Sequence, residues 1–258
     1  MTEMENINEN ANLGEEQYIE GVPFDHTVTH SDTYYEQFIE SFEQNKKKRF
    51  FYRIVKRCFD IVSSLVALIL LSPIMLIVAI AIKCDSKGRV IFKQERMGKN
   101  GKSFYCYKFR SMRTDAPKDR PTSLLDNPEQ YQTRVGRFLR KTSLDELPQL
   151  WCVFLGSMSV IGYRPLVLNE EKCHSMRRRL GVYSFKPGIS GYAQIKGRDD
   201  VYYKNKAILD AEYVKKASIW LDIKLIFQTV AVVLKRDGNR DNSPKEKIQK
   251  EKKSKKTK

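Results

Sequence analysis

Hydrophobic and polar positions change their period several times along these 258 residues, and each period predicts an element. Residues 61–82, IVSSLVALILLSPIMLIVAIAI, carry no charge. At about 1.5 Å per helical residue, such a run matches a hydrocarbon core of roughly 30 Å. Pro73 stands in its middle, after Ser72. Proline has no N–H and crowds the carbonyl four residues back, so the pattern predicts a helix broken or bent at Ser72-Pro73. The Ser72 hydroxyl is placed to satisfy a carbonyl freed by Pro73. Both flanks are basic: Lys46, Lys47, Lys48, Arg49, Arg53, Lys56 and Arg57 before the run, and Lys83, Lys87, Arg89, Lys93 and Arg96 after it. Under the positive-inside rule a straight span would leave one flank on the wrong side. The expectation is a re-entrant helix whose arms, about ten residues each, dip into one leaflet, with a kinked span as the alternative.

Downstream, residues 89–98 and 103–112 read as strands around a Lys99-Asn100-Gly101 turn, hence a β-hairpin. Residues 114–130 hold three prolines and read as a loop. Helices are expected over 131–141, 144–156, 169–180, 203–216 and 218–235, with a loop over 186–191. The last helix is mostly apolar but contains Asp222 and Lys224, which favours packing or an interfacial position over spanning. The fold class expected is α/β, mostly helical, with a small β-hairpin. An N-terminal re-entrant membrane helix broken at Ser72-Pro73 precedes a compact cytoplasmic domain with interfacial helices. The divisions are an acidic disordered tail over 1–45, in which 33–44 has helical spacing, and a basic, aromatic interface segment with the membrane helix over 46–83. The compact domain follows over 84–237, then a Lys-rich disordered tail over 238–258.

Charge sharpens this picture. The net charge is +16, yet residues 1–45 contain eleven acids and no Lys or Arg, so the rest carries +27. Such an excess repels itself unless it faces lipid head groups, a phosphorylated substrate or nucleic acid. The segment KKKRFFYRIVKR interleaves bases with aromatics as head-group depth requires, and the adjoining apolar run decides for anionic lipids over nucleic acid. A hydrophobic content of 41% and a mean hydropathy of −0.51 exclude a polytopic membrane protein. Five cysteines without paired spacing argue against a disulfide framework. His174 is the lone histidine of the main body, so neither a zinc site nor a histidine acid–base pair is expected. The apolar run starts too far from the N-terminus, and is too long, for a cleaved signal peptide.

The sharpest candidate chemistry is Asp145-Glu146 within Thr142-Ser143-Leu144-Asp145-Glu146-Leu147-Pro148. Ser143 and Glu146 have the spacing of a capping box, and Pro148 suits an early helical position. Both carboxylates would then stand at the positive end of a helix dipole, which favours their ionised forms. An ionised Asp serves as a nucleophile, and a neighbouring Glu holds Mg²⁺. Adjacent helical residues point about 100° apart, so the two would have different roles. The plain alternative is that both only cap a helix. Arg164, Arg140, Lys141 and Arg198, near carboxylates and Gly-containing turns, suit phosphate binding, with ordinary solvated charge as the alternative. Lys108 and Arg110 lie two apart in a strand, so they share a face. Asp210 is a further metal or substrate contact, or else a plain surface Asp.

Six motifs in order around one apolar run make the chain resemble the bacterial sugar transferases, the monotopic phosphoglycosyl transferases. They are Lys56-Arg57-Cys58-Phe59-Asp60; Ser72-Pro73; Lys108-Phe109-Arg110-Ser111-Met112; Ser143-Leu144-Asp145-Glu146-Leu147-Pro148-Gln149-Leu150; Gly162-Tyr163-Arg164-Pro165; and Lys186-Pro187-Gly188-Ile189-Ser190-Gly191-Tyr192-Ala193-Gln194. The resemblance covers residues 50–237. It implies transfer of a sugar 1-phosphate from a UDP-sugar to polyprenyl (undecaprenyl) phosphate, with release of UMP. This is the first step of exopolysaccharide, capsule or glycoconjugate assembly. It implies Asp145 as the nucleophile that carries a covalent phosphosugar, Glu146 as the Mg²⁺ ligand, and Lys108, Arg164 and Asp210 lining the site. Residues 84–237 become the catalytic domain, on the cytoplasmic face of the bacterial inner membrane, and the chain looks like the compact form of the family. Departures from the family pattern are Tyr163 for Pro, Ser157 for Asp, Tyr192 for Trp and Lys196 for Asn. The alternatives are a membrane-tethered basic binding protein with a degenerate site, and a phosphohydrolase using the same acidic pair.

Overall fold

The computed structural model describes residues 46–117, 127–197 and 203–235. The expectations for the acidic tail, the Lys-rich tail and Arg198 lie outside them.

Helix α1 (Lys46–Asp85) is 40 residues long and runs through Pro73 without interruption. Of the two forms expected at Ser72-Pro73, a break is absent, since the proline sits inside one helix, and a bend is the form left. The reason is visible at Ser72. Pro73 cannot donate to the carbonyl of Ile69, four residues back, and the Ser72 hydroxyl does so instead at 2.8 Å. Val62, Leu65, Ile69, Leu70, Leu76 and Ile77 of α1 are exposed. Among the described residues this is one helix long and apolar enough to cross a membrane, and 11% of its most apolar stretch is buried. A core helix of a water-soluble domain would be mostly covered.

Both ends of α1 dock on the body. Near its start, Arg57 donates to the carbonyls of Val153 (2.7 Å) and Phe154 (2.8 Å). Asp60 accepts from Ser159 Oγ at 3.0 Å and Val160 N at 3.1 Å. Near its end, Val78 and Ile82 pack with Phe109 and Leu139.

Strands β1 (Ile91–Met97) and β2 (Ser103–Phe109) form the expected antiparallel hairpin, with Gln94 opposite Cys106 and Arg96 opposite Phe104. Its turn places Asn100 and Gly101 at φ 58° and 71°, a region these two residue types tolerate. Helix α2 (Arg134–Thr142) begins at Thr133, whose hydroxyl accepts from Gly136 N at 2.9 Å. A 3₁₀ turn (Leu144–Glu146) then leads into α3 (Gln149–Leu155), so the helix expected over 144–156 is two pieces. Strand β3 (Ser159–Ile161) pairs in parallel with β4 (Gly188–Ser190), where a loop was expected. Three residues are too few to show a strand period, and the pairing depends on two glycines: a Cβ on Gly188 would lie 2.1 Å from Gly162 N. Helices α4 (Glu171–Arg179), α5 (Tyr192–Gly197), α6 (Tyr203–Lys216) and α7 (Ile219–Lys235) complete the domain.

The main core gathers Ile161, Tyr163, Leu166, Cys173, Val182, Ala207, Tyr213 and Leu225. Beside it, Asp222 of α7 is 3% exposed and ties α1 down. It accepts from Tyr52 and Tyr213 hydroxyls, both at 2.8 Å, and pairs with Lys56 at 3.0 Å. The charge that argued against spanning thus serves packing, while Trp220 and Phe227 of the same helix stay exposed.

Candidate active site

Asp145 and Glu146 stand on the 3₁₀ turn between α2 and α3. The expected capping box is absent. Ser143 ends α2 in the left-handed region (φ 60°) and makes no side-chain cap, because the chain reverses there before α3 starts. Glu146 is thereby released from capping and points at cations. Its Oε1 lies 2.7 Å from Lys108 Nζ on β2 and 3.3 Å from Arg164 Nη2 on the turn after β3. The side chains of Lys108, Arg164 and Glu146 are each 18–26% exposed, so the trio is reachable from solvent. Asp145 is 9% exposed on the same turn, and Pro148 sets the αR start of α3 behind it.

The turn carrying Arg164 is held by two further arginines that sequence reading missed. Arg177 of α4 donates to the Arg164 carbonyl at 2.9 Å, and Arg96 of β1 donates to the Pro165 carbonyl at 2.9 Å. Arg177 is 0% exposed and ion-paired to Asp210. Asp210 is therefore fully buried behind the site: its carboxylate meets Arg177, which in turn holds the Arg164 carbonyl. Arg110 is likewise corrected. Strand β2 ends at Phe109, so the two-residue alternation stops. The Arg110 guanidinium turns to the end of α1, donating to Lys87 O at 2.8 Å and Ser86 O at 2.7 Å.

A cleft lined by Arg96, Cys106, Lys108, Gln149, Arg164 and Pro165 adjoins the trio. Burial pushes the Cys106 thiol up to about 11, so it is a neutral wall rather than a nucleophile. Arg96 had a signal in the sequence: opposed residues share a face, and the register puts Arg96, Gln94 and Phe92 on the face of Phe104, Cys106 and Lys108. Arg177 also had one, since Cys173, His174 and Arg177 are buried at helical spacing. It was concealed in the run Arg177-Arg178-Arg179. Tyr163 fills the core behind the turn at 0% exposure, its ring 5.3 Å from Tyr183 and under Arg177.

Among the described residues no group of three His, Cys, Asp or Glu offers an all-protein cage. Mg²⁺ takes one or two carboxylates completed by water and substrate phosphates, and Glu146, at a solvent-reachable turn, would serve as one such carboxylate.

A family model described as bacterial sugar transferase matches residues 51–236. Among curated relatives, a UDP-galactose-lipid carrier transferase of Erwinia amylovora is 41% identical over 206 residues, covering 72% of this chain and 42% of the relative. An undecaprenyl-phosphate galactose phosphotransferase of Salmonella typhimurium is 41% identical over 202 residues, with the same coverage of 72% and 42%. An exopolysaccharide production protein, ExoY, of Rhizobium meliloti is 37% identical over 194 residues, covering 70% of this chain and 85% of the relative. The chain thus spans about two fifths of the length of the first two.

Proposed function

This chain belongs to the bacterial sugar transferase family, and from that membership and the site's geometry we propose that it moves a sugar 1-phosphate from a UDP-sugar to a polyprenyl phosphate. The observation that carries the reading is Glu146 held between Lys108 and Arg164 beside Asp145, on the domain from which an apolar helix emerges.

An Asp145 carboxylate oxygen attacks the phosphorus that bears the sugar. The bond from that phosphorus to the oxygen of UMP breaks, and UMP leaves with the electron pair. A phosphate oxygen of the lipid then attacks the same phosphorus, the aspartyl–phosphorus bond breaks, and the carboxylate is regenerated. Lys108 and Arg164 offset charge on the phosphate oxygens as it shifts to the leaving group. Mg²⁺ held by Glu146 would supply further neutralisation of the diphosphate. The Arg177 and Arg96 contacts fix the Arg164 turn so that the guanidinium does not reorganise during transfer.

The acceptor is a lipid, so the site must sit at head-group level. We read α1 as re-entrant, with both ends on the cytoplasmic side of the inner membrane and the exposed faces of α1 and α7 in the interface. A straight helix would separate Arg57 from Ile82 by about 38 Å. Yet Arg57 holds Val153, the neighbouring Cys152 thiol contacts the Tyr105 carbonyl, and Ile82 packs in one cluster with Phe109. Tyr105 to Phe109 is about 14 Å of strand. The short path between the two docking points supports a sharp bend at Pro73.

The test is UMP release from a panel of UDP-sugars in the presence of polyprenyl phosphate. Asp145→Asn is expected to abolish it with membrane association intact, and mass spectrometry of the wild type without lipid acceptor to find a phosphosugar on Asp145. Full activity in the variant refutes the nucleophile.

A further inference from the structure

The cleft beside Glu146 is small and open to solvent, and three cations, Lys108, Arg164 and Arg96, line it. Two of its cations, Lys108 and Arg164, have a carboxylate partner in Glu146. Arg96 has none. Its Nη1 donates to the Pro165 carbonyl, its Nη2 to the Gln94 amide oxygen, and its Nε is buried without a partner. Among the described residues no carboxylate lies within ion-pair distance of it.

A desolvated cation without a counter-charge is a costly arrangement, and one that an incoming anion relieves. Burial is the main downward push on the Arg96 pKa; Cys106, Glu170 and Glu146 oppose it and Arg164 adds to it.

We propose that Arg96 is a substrate-binding residue that completes, with Lys108 and Arg164, a three-cation subsite for a phosphate of the donor's diphosphate. This rests on the transferase reading and extends it to a residue in the first strand. The Arg96 side chain then has two duties. Its bond to Pro165 positions the Arg164 turn, and its remaining donor capacity meets the anion.

The test uses the full chain in detergent micelles with inorganic diphosphate as the probe, titrated calorimetrically. Arg96→Gln is expected to weaken diphosphate binding by about 10- to 100-fold, the size of one charge-assisted hydrogen bond, with Arg96→Lys between it and wild type. The ligand-free melting temperature should hold or rise in Arg96→Gln, because an unpaired buried cation is gone. With a UDP-sugar that turns over, KM rises through the lost anion contact and kcat falls as well through the lost tie to the Arg164 turn. Diphosphate affinity within about twofold of wild type overturns the proposal, and so does a lowered melting temperature with unchanged affinity, which would make Arg96 a purely structural tie. Should Arg96→Gln not fold, wild type treated with phenylglyoxal decides: diphosphate must shield Arg96 in the peptide map, and an unchanged modification rate overturns the idea. Binding of diphosphate needs no turnover. A wild type that binds it through Arg96 yet releases no UMP sinks the reaction but not the subsite; an active enzyme indifferent to Arg96 sinks only the subsite.

Discussion

Asp210 shows how a single side chain changes meaning between sequence and structure. An Asp in a helix near other candidate residues reads as a metal or substrate contact. Its environment makes it the buried counter-ion of Arg177, which holds the Arg164 carbonyl. Asp210→Asn leaves a fully buried guanidinium short of its anion, so it is expected to cost about 3–5 kcal/mol. Denaturant unfolding in detergent measures this, and activity should fall with the folded fraction rather than through a changed metal requirement. Tyr163 predicts the opposite sign. Its hydroxyl is buried without a partner, so Tyr163→Phe should raise stability by about 1–3 kcal/mol while the ring keeps its edge contact with Tyr183. A thermal shift measures it, and a lowered melting temperature would show that the hydroxyl is satisfied. Glu146→Gln removes the anion between Lys108 and Arg164 and should abolish magnesium-dependent UMP release without unfolding the chain, read as activity against added Mg²⁺ after chelation. What the sequence showed at this scale was the acidic pair, Lys108 and Arg164. What it concealed were the residues that hold them: Arg177 stood within a run of three arginines, and its anion, Asp210, lies 33 positions away.

The elements that were legible are those with enough residues to display a period. The 22-residue apolar run, the hairpin and the 14-residue helix α6 were all readable. The three-residue strands β3 and β4 were not, since one alternation is no period. The capping box failed for a related reason: Ser143 lies where two elements meet, and the C-terminal requirement of α2 took its backbone into the left-handed region. Ser72 and Pro73 act together within α1. If α1 is re-entrant as proposed, Pro73→Ala, which restores a donor to the Ile69 carbonyl and removes the ring clash, is expected to straighten it. A straightened helix of this length crosses the bilayer, so a cysteine introduced near residue 45 should become accessible from the far side, as read by impermeant thiol labelling in vesicles lacking native cysteines. Labelling from the original side alone would show that the bend does not depend on the proline.

At the scale of the molecule, two different forces hold one domain against one membrane. Inside, Asp222 gathers Tyr52, Lys56 and Tyr213 and so fastens α1 to α7. Outside, Trp220 and Phe227, two and five positions from it along α7, are 78% and 71% exposed and need an apolar or interfacial environment to be favourable. The two sets can be separated by mutation because they face opposite ways on the same helix. Asp222→Ala strands the Lys56 charge and two hydroxyls, and should cost about 3–5 kcal/mol of stability in detergent. Trp220→Ala with Phe227→Ala leaves the buried network untouched and should keep the melting temperature within a degree or two. Each removed ring forgoes roughly 1.5–3 kcal/mol of burial, so the pair should weaken partitioning to vesicles several-fold or more, damped by whatever α1 retains. Co-flotation of the two variants with anionic vesicles reads the difference. If the double aromatic variant lost stability and kept its lipid binding, α7 would be packed against protein at that face, and the active site would be carried to head-group level by α1 alone.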